Sequence, residues 1–168
     1  RLEGDRWVPT FPNARYVLGK RDLDFFSQPG SDDLQHPAYF DSVLPVIEAG
    51  QADIIDGEKV ILGKVDDGLW VRPAYGHSPG CSTVHARRGG PKALFCGDVL
   101  HHPIQLVRPD AHFVYDYDGD MAEQSRMALI RDVLNTDTLV LPAHFRFGLA
   151  GYIRGEEGAL RYELPEQA

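Results

Sequence analysis

Three segments of this sequence share one design that constrains the fold more than any other feature. In each, an apolar, β-prone run stops abruptly and a His or Asp follows within a few residues, among Gly and Pro. The segments are Trp70-Val-Arg-Pro-Ala-Tyr-Gly-His77-Ser-Pro-Gly80, Ala93-Leu-Phe-Cys-Gly-Asp98 and Leu139-Val-Leu-Pro-Ala-His144. A strand end suits a ligand, because the sheet fixes the backbone while the following loop leaves one side open. Imidazole and carboxylate at such points suit Zn²⁺, or Fe or Mn. Taken singly each has a plainer reading: a solvated loop histidine, a Gly-Asp turn, a Pro-Ala-His strand stop. What joins them is the repeated placement, and the two glycines and a proline packed around His77.

The rest of the chain can support such a scaffold. Its 168 residues, 43% hydrophobic, are enough for one domain with a real core. Net charge is −8 and the basic residues cluster no further than Lys20-Arg21 and Arg87-Arg88, which disfavours nucleic-acid binding. The two cysteines, Cys81 and Cys96, have neither a C-x-x-C spacing nor the number for a disulfide framework. No apolar run approaches the roughly 18 residues a membrane span requires. The chain opens at Arg1 in a polar stretch that reads as mid-loop, so a preceding native segment is expected.

Periodicity predicts a strand over Arg15–Gly19 leading into a helix over Lys20–Ser27, then, after Pro29-Gly30-Ser31, a helix from His36 to Ala49 kinked or restarted at Pro45. Short strands follow at Ile54-Ile55, Lys59–Leu62 and Leu69–Val71, with turns at Asp56-Gly57 and Asp67-Gly68. Ser82–Ala86 and Lys92–Cys96 read as an antiparallel hairpin. Asp120 with Glu123 reads as a capping box opening a helix that runs to Asn135. Thr138–Pro142 reads as a buried strand, and Tyr152–Arg154 with Leu160–Leu164 as a last hairpin. The expected class is layered α+β.

Gly-His77-Ser-Pro-Gly, Phe-Cys-Gly-Asp98 and Leu-Pro-Ala-His144 resemble, in order, the third, fourth and fifth metal motifs of the metallo-β-lactamase superfamily. Pro9–Tyr16, Gly97–Gln105 and Pro142–Phe145 are similar to its lactonase and methyl-parathion-hydrolase-like branch. The superfamily's H-x-H-x-D-H motif is absent. The resemblance therefore implies the C-terminal portion of an αββα sandwich, with residues 1–168 forming one partial domain.

It further implies that His77 binds a first metal, Asp98 bridges both and His144 binds the second. Two Zn ions are expected in the complete domain, or Fe or Mn. His101, three residues after Asp98, would face the metals as a catalytic donor, while Cys81 stands where many relatives carry a histidine. His36, His85 and His112 are read as structural or surface residues. The implied reaction is hydrolysis of a small ester or lactone by a metal-bound hydroxide; the alternatives are phosphotriester hydrolysis and a non-catalytic fragment. With its ligands spread over two metal positions, this chain alone is expected to bind metal weakly or not at all and to be inactive. The expected partners are a small-molecule substrate and either a missing N-terminal half or a second copy, not a nucleic acid or a membrane.

Overall fold

The computed structural model describes residues 1–28, 38–146 and 150–165. The contacts gather into two compact units, Arg1–Asp56 and Gly57–Ala168.

In the first unit, β1 (Leu2–Glu3) and β2 (Arg6–Trp7) form a small antiparallel ribbon. Strand β3 (Tyr16–Gly19) runs into α1 (Lys20–Phe26) as expected. His36 and the Pro29-Gly30-Ser31 break lie outside the described residues. The following helix is not one kinked α-helix. Tyr39–Val43 is a π-helical turn, and α2 (Leu44–Glu48) restarts with Pro45 in its first turn, where the missing N–H has no intrahelical partner to lose. The chain returns as β4 (Ala52–Ile55), parallel to β3 in the register Tyr16↔Ala52 to Gly19↔Ile55.

The second unit carries a five-stranded sheet in the order β5 (Lys59–Lys64), β6 (Asp67–Pro73), β7 (Ser82–Arg87), β8 (Ala93–Gly97), β9 (Leu139–Pro142). Strands β5 to β8 are antiparallel neighbours, and the β7–β8 hairpin lies where predicted. Asp67-Gly68 is not the β5–β6 turn: both residues pair inside the ladder, and the turn falls on Val65-Asp66, with Asp66 at φ 62°. Strand β9 pairs parallel with β8 after a crossover through α3 (Gly119–Val133). A last hairpin, β10 (Tyr152–Arg154) with β11 (Arg161–Glu163), matches expectation.

Helix α3 corrects one detail. Its N-cap is Asp118, whose carboxylate accepts from the Met121 N–H, so Asp120 already lies in the first turn and does not open a capping box. Asp118 has the extended backbone a cap requires (φ −142°, ψ 104°). Leu129, Ile130 and Val133 of α3 join Leu94, Cys96, Val140 and Ile153 in one core cluster.

One row of paired residues crosses the sheet: Trp70, His85, Leu94 and Val140, exposed by 0, 3, 1 and 0%. His85 is thus a buried structural residue, its ring stacked on Trp70 at 5.3 Å and its Nε2 2.9 Å from Thr83 Oγ1. Burial, with Lys92 and Arg72 nearby, pushes its pKa down to about 4. The unfolded chain takes up that proton near pH 6.5, so the unfolded state binds more protons between pH 6.5 and about 4. His85 therefore contributes stability that is complete above pH 6.5 and is lost as pH falls through this window. Allowing for water entering the crevice that His85 lines with Arg72 and Asp132, the loss is on the order of 2 kcal/mol. Urea unfolding at pH 7.5 and pH 4.5 (about three pH units apart) tests this: His85→Gln should flatten the pH dependence, and an unchanged slope would refute the assignment.

Candidate metal centre

Strand β6 leaves the sheet at Pro73, and the loop to β7 closes tightly. Ala74 N–H donates to Cys81 O at 2.8 Å and Gly76 N–H to Ser78 O at 3.1 Å. The N-terminal end of α3 clamps this loop from outside: Tyr117 N–H donates to His77 O (3.1 Å), Asp118 N–H to Gly76 O (2.9 Å) and Ser125 Oγ–H to Tyr75 O (2.6 Å). His77 is therefore presented by a loop fastened at both its sheet end and its helix side.

Asp98 follows Gly97, whose positive φ of 51° turns the chain out of β8. Gln105 holds the next residues, its Oε1 accepting from the His101 and His102 N–H groups at 2.8 and 3.3 Å while its amide donates to Ala111 O. His144 lies two residues past β9, its side chain 53% exposed.

All four predicted site residues come together around the Asp98 carboxylate. His77 Nε2 lies 3.6 Å from Oδ2, while His144 Nε2 and His101 Nε2 lie 2.6 and 3.9 Å from Oδ1. One ligand atom each from His77, Asp98 and His101 falls within 4.8 Å of the others. His101, expected as a donor beside the metals, thus sits inside the metal-compatible group. Its ring is held between Phe113 (4.1 Å, 16° between planes) and His144 (5.0 Å, 7°). Burial, reinforced by His77, lowers its pKa below the ordinary 6.5, so it is neutral at pH 7.

The residues fit a divalent cation. Two ligand atoms about 2.1 Å from one ion at a tetrahedral angle stand about 3.4 Å apart. The 3.6 and 3.9 Å separations match that edge; the 2.6 Å His144 contact is a direct hydrogen bond that must open for both partners to bind one ion. His77 adds a second argument. Its Nδ1 lies 3.1 Å from Asp116 Oδ1, so with the proton there Nε2 turns a lone pair towards Asp98 Oδ2. Two acceptors at 3.6 Å call for a cation between them, a metal ion or a second proton.

Asp116 and Arg126 were not singled out from the sequence. The Asp116 side chain is 2% exposed, its Oδ2 accepting from Phe113 N–H at 2.9 Å. Arg126 is fully buried in α3, donating from Nε to Val99 O and from Nη1 to Pro109 O. A sequence signal existed: Arg126 interrupts the apolar stripe Ala122, Leu129, Ile130, Val133, and a charge there needs a buried partner. Cys81, His85 and His112 contribute no ligand atom to the His77–Asp98–His101 group. His112 faces Glu123 instead, at 3.4 Å.

No protein-family model matches this sequence, and no curated protein does. Solved structures do match. The hydrolase AbOPH of the beta lactamase superfamily superposes with a TM-score of 0.76 at 20% identity, over 94% of this chain and 57% of its own. AidC, a dizinc quorum-quenching lactonase, gives 0.74 at 18% identity with the same coverage. The chain has the metallo-β-lactamase fold. A probable metal-dependent hydrolase from Staphylococcus aureus with this fold gives 0.70 at 16% identity, over 94% and 55%. The chain thus spans a little over half the length of these metallo-β-lactamase-fold structures, and the expected α+β class is the one observed.

Proposed function

We propose that this chain carries part of the active site of a metal-dependent hydrolase acting on a small ester, with a lactone as the preferred substrate. The observation that carries this reading is the convergence of His77, His101 and His144 on the two oxygens of Asp98, at the strand ends of a fold shared with metal-dependent hydrolases and lactonases.

Zn²⁺, or Fe or Mn, held by these residues would supply Lewis-acid polarisation of the carbonyl and a water acidified towards neutrality. Asp98 would serve both ions in this reading, which its oxygens support: Oδ2 faces His77 and Oδ1 faces His144. His101, neutral at pH 7 and fixed against Phe113, directs Nε2 to the same side as Asp98. With its proton on Nε2 it can donate to the oxygen that gains charge as the ester bond breaks.

The test is hydrolysis of an N-acyl homoserine lactone, an aryl ester and a phosphotriester by the full-length protein, before and after chelation and zinc return. Zinc-dependent lactone turnover is expected. Phosphotriester turnover that outruns it would move the assignment to that variant, and absence of metal-dependent hydrolysis of all three would sink the hydrolase reading. His101→Ala should lower turnover about 10²–10³-fold with metal content unchanged. If metal is lost in parallel, His101 is a ligand and not a donor.

A further inference from the structure

We infer that Asp116, held by the buried Arg126, is the positioning residue that keeps His77 in the one tautomer able to bind a metal through Nε2. This rests on the reading of His77 as a ligand and deepens it. A carboxylate only accepts hydrogen bonds, so the 3.1 Å contact between Asp116 Oδ1 and His77 Nδ1 requires the proton on Nδ1 and leaves Nε2 bare on the Asp98 side. A ligating histidine commonly donates its other ring N–H to a carboxylate, which fixes both tautomer and ring angle.

The Asp116 side chain is 2% exposed and engaged at both oxygens. Its second oxygen accepts the Phe113 N–H at 2.9 Å and lies 3.9 Å from Arg126 Nη2. That Nη2 is buried and has no hydrogen-bond partner among the described residues, so its charge is directed at Asp116 without being consumed elsewhere. The rest of the guanidinium ties the neighbouring loops: Nε donates to Val99 O, one residue from Asp98, and Nη1 to Pro109 O and to Ala111 O. A single α3 side chain thus links the Asp98 loop, the segment before α3 and, through Asp116, the ring of His77.

The carboxylate is specifically required. In Asp116→Asn the one remaining oxygen stays with the fixed Phe113 N–H donor, and the amide NH₂ is presented to His77. His77 must then accept at Nδ1 and carry its proton on Nε2, which blocks the lone pair that would face the metal.

Ring ¹⁵N NMR of the metal-free full-length protein reads the tautomer directly. His77 should be protonated at Nδ1 in the wild type and at Nε2 in Asp116→Asn. Co²⁺ titration followed by visible absorption should show a 10–100-fold loss of affinity for Asp116→Asn, with far-UV circular dichroism unchanged. A wild-type His77 protonated at Nε2, or an Asp116→Asn variant that keeps both tautomer and affinity, overturns the inference. Asp98→Ala separates the two readings. If it abolishes Co²⁺ binding while Asp116→Asn is silent, only the positioning role fails. If Asp98→Ala also binds Co²⁺ normally, the metal-centre reading fails, and the tautomer measurement still decides the role of Asp116.

Discussion

Asp98→Ala is expected to remove metal binding and hydrolysis together, the largest functional loss available from one substitution in this chain. Each of the three histidines offers one nitrogen, and all three aim at the Asp98 carboxylate, at 3.6 Å from Oδ2 and at 2.6 and 3.9 Å from Oδ1. Without that carboxylate three imidazoles are left, with His77 and His101 ring centroids 4.8 Å apart and His101 and His144 5.0 Å apart. A cation brought among them meets no opposing charge from Asp98, and the 10–100-fold effect typical of an outer partner is a lower bound for losing this one. Metal content after dialysis and zinc-dependent lactone turnover of the full-length protein should fall in parallel. Full metal content with full turnover would show that Asp98 is not the centre of the site. Removing Asp98 also removes the His144 hydrogen bond, but at a side chain 53% exposed this should cost little stability. The loss should therefore appear without a large change in melting temperature.

What was legible in the sequence follows from range. The β7–β8 hairpin, the β9 run and the strand-end positions of His77, Asp98 and His144 depend on residues close together in the chain, so alternation, turn residues and abrupt stops mark them. The parallel pairing of β3 with β4 joins Tyr16 to Ala52 across a helical excursion, and no local pattern announces it. The α3 cap was displaced by two residues because Asp116, Asp118 and Asp120 alternate just ahead of the helix. The three carboxylates do different things. Asp118 caps the helix, Asp120 lies in its first turn, and Asp116 turns inward to His77, 39 residues earlier. Only the three-dimensional closure of the Tyr75–Gly80 loop against α3 separates these roles. His85 illustrates the same limit. Its burial against Trp70 and its depressed pKa come from strand register, which the sequence shows only as two apolar runs.

Gly76→Ala should be the most destabilising single-methyl change at the site, because two independent constraints coincide there. The backbone sits at φ +132°, a region that side-chain-bearing residues rarely enter. A Cβ would also lie 2.0 Å from Ala122 N, 2.3 Å from Ala122 Cα and 2.6 Å from Met121 C, all helix backbone, which cannot rotate aside. The loop must then separate from α3, and the first bonds to go are Tyr117 N–H to His77 O and Asp118 N–H to Gly76 O. Backbone strain of roughly 1–3 kcal/mol and two hydrogen bonds at about 1 kcal/mol each give a destabilisation of about 3–5 kcal/mol. For a chain of this size that is a fall in melting temperature on the order of 10 °C. Gly89→Ala is the control, since Gly89 also has a positive φ (+68°) but its Cβ would meet nothing within 4 Å, so a loss of about 1 kcal/mol is expected. The functional consequence is separate from the stability loss. Moving the loop by the ångström or so needed to relieve the overlap carries His77 Nε2 away from Asp98 and its Nδ1 away from Asp116, so Co²⁺ affinity should fall even at temperatures where the variant is fully folded. Equal melting temperatures for Gly76→Ala and Gly89→Ala would mean that the loop and helix are not packed as closely as the structure places them. Equal Co²⁺ affinity in a folded Gly76→Ala variant would mean that His77 is not held by that packing.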